Sequence, residues 1–373
     1  MKFLIVLGFA EDLLPFRGDF IDALLARGMQ VHVALPDLEG NSDLHSKLLA
    51  KGLVVHKFSM QRAGMNPVAD FHTMWQLLKL MWDIRPEVVL VNYIKPVIYG
   101  MMAASIARVP HRFALISGLG YAFTGGNNQR GWLRRLAQWL YTLSLRGAHK
   151  TFFENPDDCE LFYQLGILKP TALSCVLNGC GVDVDHYAYA PIPKGTPGFL
   201  LVARLLGDKG IREYAAAARL VKAQYPEVRF ALVGWIDENP SAITQVELDT
   251  WIAEGTIDYM GRLADVRPAL AQCSVYVLPS YREGTSRSVT EAMSTGRAII
   301  STDAPGCREP VHVEENGLLV PVGSVDELAK AMLIFLENGE LIQRFGQRSR
   351  EIAEEKYDVH KVNQVILNEM GIC

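Results

Sequence analysis

The chain has 373 residues, of which 49% are hydrophobic and 21% charged, with 31 Gly and 18 Pro. At about 150 residues per domain this length predicts two domains, and the composition excludes a disordered, collagen-like or disulfide-scaffold protein. The net charge of −4 lacks the basic balance of a nucleic-acid-binding protein.

The chain opens with a short apolar run, Met1-Lys2-Phe3-Leu4-Ile5-Val6-Leu7-Gly8. Glu11-Asp12 stand where a signal peptide would be cleaved, so the run predicts a first β-strand over 3–7. Further strands are predicted over 30–34, 54–57, 88–91, 112–116 and 151–153, with helices over 19–27 and 71–84. The Gly- and Asn-rich stretch 176–183 reads as a linker. The alternation then restarts, with strands over 198–203, 229–233, 256–260, 275–278 and 298–301 and a helix over 211–224. Residues 351–370 read as a closing helix. No uninterrupted apolar run approaches the ~20 residues that cross a bilayer. The pattern predicts an α/β fold of two doubly wound, Rossmann-like domains, 1–177 and 182–351, facing each other across a cleft. Each strand of the second half ends in Gly, Pro or small polar residues, at the carboxyl edge where such sheets bind ligands. The six cysteines form no C-x-x-C pair and read as reduced thiols of a cytoplasmic protein.

Two segments carry chemistry. In 280–293, Glu283 and Glu291 flank a Gly/Ser/Thr stretch that leads into a helix. Gly284 and Thr285 break the helical repeat, which puts Glu283 on a loop and Glu291 inside the helix. The backbone N–H groups between them suit an anion or a sugar hydroxyl. Spacing alone fits two surface acids beside a capped helix equally well. In 202–210, Arg204 and Lys209 follow a strand. Arg grips two oxygens at once and Lys acts as a point charge, a pairing that suits a diphosphate. Taken singly, both read as solvated surface charges.

Together these residues resemble glycosyltransferase family 4, of GT-B fold. Arg204 and Lys209 match its R-x4-K signature after a strand, and Glu283 and Glu291 its E-x7-E. Gly261-Arg262 match the loop that receives the nucleotide base. Asn178-Gly179 with Val182-Asp183 match the interdomain linker, and 316–320 a segment late in the second domain. The common E-G-F-P is replaced by Glu283-Gly284-Thr285-Ser286, a departure that bears on the donor-sugar pocket.

The resemblance implies retaining, metal-independent transfer of a hexose from a UDP-sugar. Glu291 would accept the ribose hydroxyls and Glu283 would hold the donor hexose. Arg204 and Lys209 would neutralise the departing diphosphate. Gly234, Arg262, Gly284, Thr285, Ser286, Arg287 and Ser288 would complete the donor site. Asp183-Val184-Asp185 matches a metal-binding D-x-D as a string, but its place in the linker argues against a metal. The absence of G-x-G-x-x-G argues against a nicotinamide cofactor. In GT-B enzymes the C-terminal helix, here 352–373, crosses back to the first domain, an expectation by analogy.

The first domain would hold the acceptor. Residues 14–19 occupy the position of the family's acceptor- and phosphate-facing loop, which assigns Arg17 and Gly18 to it. Asn92-Tyr93-Ile94-Lys95-Pro96 and 117–123 end two strands. They resemble a narrower group, the capsule and N-glycan glycosyltransferases, whose members include an enzyme adding α-1,3-linked N-acetylgalactosamine to undecaprenyl-diphosphate-linked bacillosamine. Lys95, Gly118 and Gly120 are the acceptor-side candidates there. Many family members carry His near position 94. Here it is Ile94, which leaves Lys95 as the nearest polar group.

From Val88 to Phe153 there is no Asp or Glu but eight cations: Lys95, Arg108, Arg112, Arg130, Arg134, Arg135, Arg146 and Lys150. Within this span Trp132, Leu136, Trp139 and Leu140 share one helical stripe. Arg130, Trp132, Arg134, Arg135 and Trp139 suit an anionic bilayer surface, and a core helix with a basic edge is the alternative. The resulting expectation is a peripheral enzyme on the inner face of the plasma membrane, extending a polyprenyl-diphosphate-linked saccharide. A nucleotide-sugar epimerase and a non-catalytic nucleotide-sugar-binding protein are the rival readings.

Overall fold

The structure, a computed structural model, describes all residues other than 37, 39–41, 62–65, 120–130, 238, 240 and 373. For Trp132 and Leu133 it describes the backbone alone. The chain divides into two compact units, Met1–Cys180 with Val362–Cys373, and Gly181–Lys361.

The first unit is a seven-stranded sheet of order β3-β2-β1-β4-β5-β6-β7. Its strands are β1 (Lys2–Val6), β2 (Gln30–Leu35), β3 (Val54–Lys57), β4 (Val88–Asn92), β5 (His111–Ile116), β6 (Lys150–Phe153) and β7 (Ser174–Val176). All pair in parallel. Its helices are α1 (Leu13–Ala26), α2 (Ser42–Ala50), α3 (Pro67–Ile84), α4 (Met101–Ile106), α5 (Gly131–Leu145) and α6 (Pro156–Gln164), and a π-turn (Pro96–Gly100) precedes α4. Alternate strand residues feed two cores. Phe3 and Ile5 pack with Phe20, Ile21 and Leu24 of α1. Leu4 and Val6 pack in the other core with Leu77 and Met81 of α3, Met101 of α4 and Tyr141 of α5. With both faces covered, the central strands read as unbroken apolar runs.

The second unit is a six-stranded parallel sheet of order β10-β9-β8-β11-β12-β13. Its strands are β8 (Phe199–Val202), β9 (Phe230–Val233), β10 (Asp258–Tyr259), β11 (Val275–Leu278), β12 (Ala298–Thr302) and β13 (Gly317–Val320). Its helices are α7 (Ile211–Lys222), α8 (Gln245–Ala253), α9 (Arg267–Gln272), α10 (Arg287–Ser294), α11 (Val325–Glu337) and α12 (Gly339–Ile352). A last helix, α13 (Val359–Glu369), carries the chain back into the first unit at Val362. In both sheets the strand order reverses between two central strands, β1/β4 and β8/β11, and such switch points open crevices at the carboxyl ends of strands.

Three local expectations change. Residues 14–19 are not a loop: α1 starts at Leu13 and contains them, because Leu13, Phe20, Ile21 and Leu24 recur on one buried face. The closing helix over 351–370 is interrupted. Asp358 is extended (φ −54°, ψ 123°) and bridges to Val182, whose N–H donates to Tyr357 O at 2.8 Å. β7 adds an edge strand where the linker was read to begin at 176. Among the described residues no helix is long and apolar enough to cross a membrane.

Candidate active site

The polar groups of the second unit gather at its switch point. After β8 the chain passes Arg204 and enters a tight turn at Gly207–Lys209. Gly210 then caps α7 with φ +71°, and an added Cβ would lie 2.1 Å from the Pro279 carbonyl. Only glycine satisfies both demands, and the close approach laces the β8 loop to the loop after β11. Tyr281 N–H donates to Asp208 O at 2.8 Å and Ser280 Oγ to the same oxygen at 3.1 Å.

This lacing joins residues 74 positions apart. Lys209 Nζ lies 2.6 and 2.7 Å from the two carboxylate oxygens of Glu283. Both side chains are mostly buried, at 18% and 14% exposure, so the pair is shielded from water without being sealed. Glu283 sits on the loop, with its N–H donating to Pro305 O at 3.0 Å. Gly284 and Thr285 are half-buried beside it. Ser286 caps α10: its Oγ accepts from Val289 N–H at 3.4 Å and touches Ser288 Oγ at 3.3 Å. The amides of a helix's first turn have no intrahelical partners, and the dipole there favours negative charge.

Glu291 lies inside α10, 8% exposed, and accepts from Arg287 Nε at 2.8 Å. The Tyr187 hydroxyl lies beside both Glu291 and Arg287. Burial, and then the Glu291 charge, push the Tyr187 phenol far above its ordinary range, so it stays protonated. Tyr187 comes from the segment entering the unit. Its carbonyl accepts from Ser294 Oγ at 2.7 Å and Arg350 Nη1 at 3.1 Å. No sequence spacing pointed to it.

Arg204 is half exposed, and its Nη1 meets Asp237 Oδ2 at 3.0 Å. Gly234 ends β9 so close to the Ala203 carbonyl that a Cβ there would lie 1.9 Å from it. The Arg262 guanidinium stacks over Trp235 at 4.4 Å, an arrangement that favours a cation over the ring face. Asp237 and Trp235 were not among the sequence candidates, although their place just beyond a strand end was the available signal. Asp183, of the D-x-D string, accepts from the N–H groups of Asp185 at 3.0 Å and His186 at 2.9 Å, a local turn.

In the first unit Arg17 is buried in α1, its Nη2 3.5 Å from Glu154, while its Nε and Nη1 have no hydrogen-bond partner among the described residues. Gly18 follows within the helix. Lys95 pairs with Asp70 at 2.8 Å, both largely buried. Tyr93 holds φ +73° and donates to Asp12 Oδ2 at 2.6 Å, and Ser117 Oγ donates to Asn92 Oδ1 at 2.8 Å. Gly118 has φ +108°. Gly120 and Arg130 lie outside the described residues, as does the Trp132 side chain. Arg134, Arg135 and Trp139 are exposed, whereas Leu140 of the same expected stripe packs partly into the core.

Two family models match, one described as glycosyl transferase 4-like over residues 6–155 and one as glycosyl transferases group 1 over residues 196–338. N,N'-diacetylbacillosaminyl-diphospho-undecaprenol alpha-1,3-N-acetylgalactosaminyltransferase of Campylobacter jejuni is 30% identical over 87% of both chains. UDP-Gal:alpha-D-GlcNAc-diphosphoundecaprenol alpha-1,3-galactosyltransferase of Escherichia coli is 23% identical over 71% of this chain and 70% of its own. Anabaena HepE, solved with UDP-glucose, matches with a TM-score of 0.76 at 20% identity over all of both chains. TarM matches at 0.75 with 12% identity over 99% of this chain and 98% of its own. The fold is therefore GT-B, and the chain belongs to the family 4, group 1 glycosyltransferases.

Proposed function

We propose that this glycosyltransferase moves a hexose, N-acetylgalactosamine, from a UDP-sugar to a polyprenyl-diphosphate-linked saccharide with retention of configuration. The observation that carries the reading is the Lys209–Glu283 pair at the switch point of the second sheet, with Arg204 on the same strand-end loop. A diphosphate there meets Lys209 as a fixed point charge. Arg204 swings from Asp237 to grip it, a cheap exchange for a half-exposed pair. Glu283, held by Lys209, takes hydroxyls of the donor hexose, and Glu291 takes those of the ribose. Gly234 and Arg262 border the base. Gly284, Thr285, Ser286, Arg287 and Ser288 line the path between the two glutamates.

The bond that breaks joins the anomeric carbon to a β-phosphate oxygen. The bond that forms joins the same face of that carbon to an acceptor hydroxyl oxygen. The departing phosphate oxygen takes the hydroxyl proton, and Arg204 and Lys209 stabilise the negative charge that grows on it. No enzymic nucleophile or metal takes part. The first unit supplies the acceptor side through Arg17, Gly18, Lys95, Gly118 and Gly120. The basic helix containing Arg134, Arg135 and Trp139, with Arg130 and Trp132 before them, meets the anionic inner surface of the plasma membrane. The names of the Campylobacter and Escherichia relatives, both acting on diphospho-undecaprenol saccharides, support the acceptor class.

Incubation with a panel of UDP-sugars and polyprenyl-diphosphate saccharides, followed by mass spectrometry and NMR of the product, tests the reading. The expected product is the acceptor plus one α-linked N-acetylhexosamine. Epimerised nucleotide sugar formed without acceptor, or nucleotide binding without turnover, overturns it.

A further inference from the structure

Helix α3 carries two apolar faces. Its inward face, Thr73, Leu77, Leu78, Met81 and Ile84, is buried. Its outward face carries Val68, Phe71, Trp75 and Trp82, exposed by 79, 63, 48 and 53%. At 100° per residue these four fall within about 60° of one another, about 135° around the helix from the centre of the buried face. Asn66 caps the helix just before this stripe, accepting from Val68 and Ala69 N–H. A surface helix of a soluble domain presents polar residues there, and a continuous aromatic stripe marks an interaction face.

The surroundings state what covers it. Lys79 lies 5.9 Å from the Trp75 ring, an ammonium beside an indole. α3 packs on α4 and α4 on α5, and these neighbours also expose apolar residues, Ile106 on α4 and Trp139 and Leu143 on α5. Lys79 of α3, Arg85 at its C-cap, Arg108 after α4, and Arg134, Arg135 and Arg146 on or just past α5 are exposed. On α3 the one exposed acid among the described residues is Asp83. A second copy of this chain would set these cations against each other across a two-fold axis. An anionic lipid surface complements them, and Trp beside Lys is the composition of the headgroup boundary.

We infer that the Val68–Phe71–Trp75–Trp82 stripe is the apolar anchor that seats this protein in an anionic bilayer, while the cations of α5 supply the long-range attraction. The inference deepens the membrane-linked acceptor reading and rests on it. Vesicle sedimentation with phosphatidylglycerol and phosphatidylcholine, without nucleotide, separates the two contributions. Phe71→Gln/Trp75→Gln/Trp82→Gln lowers partitioning about tenfold or more even at ~0.5 M salt, where screening leaves the apolar term. Arg134→Gln/Arg135→Gln lowers it only at low salt. A milder pair of variants guards against misfolding. In a Trp132→Phe/Trp139→Phe background, lipids with brominated acyl chains quench the fluorescence, and adding Trp75→Phe/Trp82→Phe abolishes the quenching. Unchanged partitioning of the triple variant, absent quenching, or a wild-type dimer that the triple variant dissolves overturns the inference. UDP affinity, measured by calorimetry, stays unchanged in every variant. Its absence from the wild type would instead overturn the donor reading and leave the vesicle result standing.

Discussion

The two sheets reverse their strand order in the same way, yet their switch points hold charge differently. In the second unit Lys209 with Glu283, Arg204 with Asp237 and Arg287 with Glu291 stand on loops or a helix start and remain partly open to water. In the first unit Arg17 with Glu154 is almost wholly buried, and Tyr93 is bent into a left-handed conformation onto Asp12. One topology thus serves two ends. Partly open pairs can exchange a carboxylate for a ligand phosphate, because water softens the exchange. A buried pair cannot lose a partner without stranding a charge.

The sharpest test of this contrast is Lys209→Met. It should lower kcat/KM for the UDP-sugar by about 10³-fold, the effect of deleting a preorganised transition-state charge, and initial rates measure it. Arg17→Met breaks a buried charge pair, and chemical denaturation should show a loss of about 3 kcal/mol of unfolding free energy, with UDP affinity unchanged. Full stability would break the comparison, since Arg17 would then be as dispensable to the fold as an open pair. Tyr187→Phe removes the hydroxyl beside Glu291 and should raise KM for the UDP-sugar by roughly five- to tenfold at constant kcat. A fall in kcat alone would remove Tyr187 from ribose positioning.

The smallest effect concerns His32 and His56, adjacent on β2 and β3 with Nδ1 and Nε2 2.9 Å apart. Burial, then the His56 charge, lower the His32 pKa to about 4, and burial lowers that of His56. The folded state therefore prefers both rings neutral. Their contribution is complete above the ordinary histidine value of about 6.5 and is lost as pH falls from there toward 4. Melting temperature should drop between pH 7 and 5, and His32→Gln should flatten that slope. A steeper slope in the variant would refute the assignment.

Much of the second unit's site was legible in the chain because its parts are local. Arg204 and Lys209 lie on one loop, as do Glu283 and the start of α10, and each motif follows its own strand. The partners that neutralise or orient them come from other loops. Asp237 follows β9, and Tyr187 enters from the interunit segment, so neither shared a spacing with the motif it serves. In the first unit the mistaken loop at 14–19 has a plain cause. Pro15 and Gly18 look like breakers, but Pro is tolerated in a first helical turn and the buried face of α1 outweighs one glycine. The exposed stripe of α3 was hidden for the opposite reason, since an apolar helix reads the same whether one face is buried or two.

The sequence by itself determined the alternation of strands and helices and with it the fold class, since these follow from short-range periodicity and from turns that only certain residues allow. Tertiary structure alone decided which charges meet, which arginine is buried and which apolar face is left uncovered, because burial and pairing depend on what a distant segment brings to the same edge of a sheet.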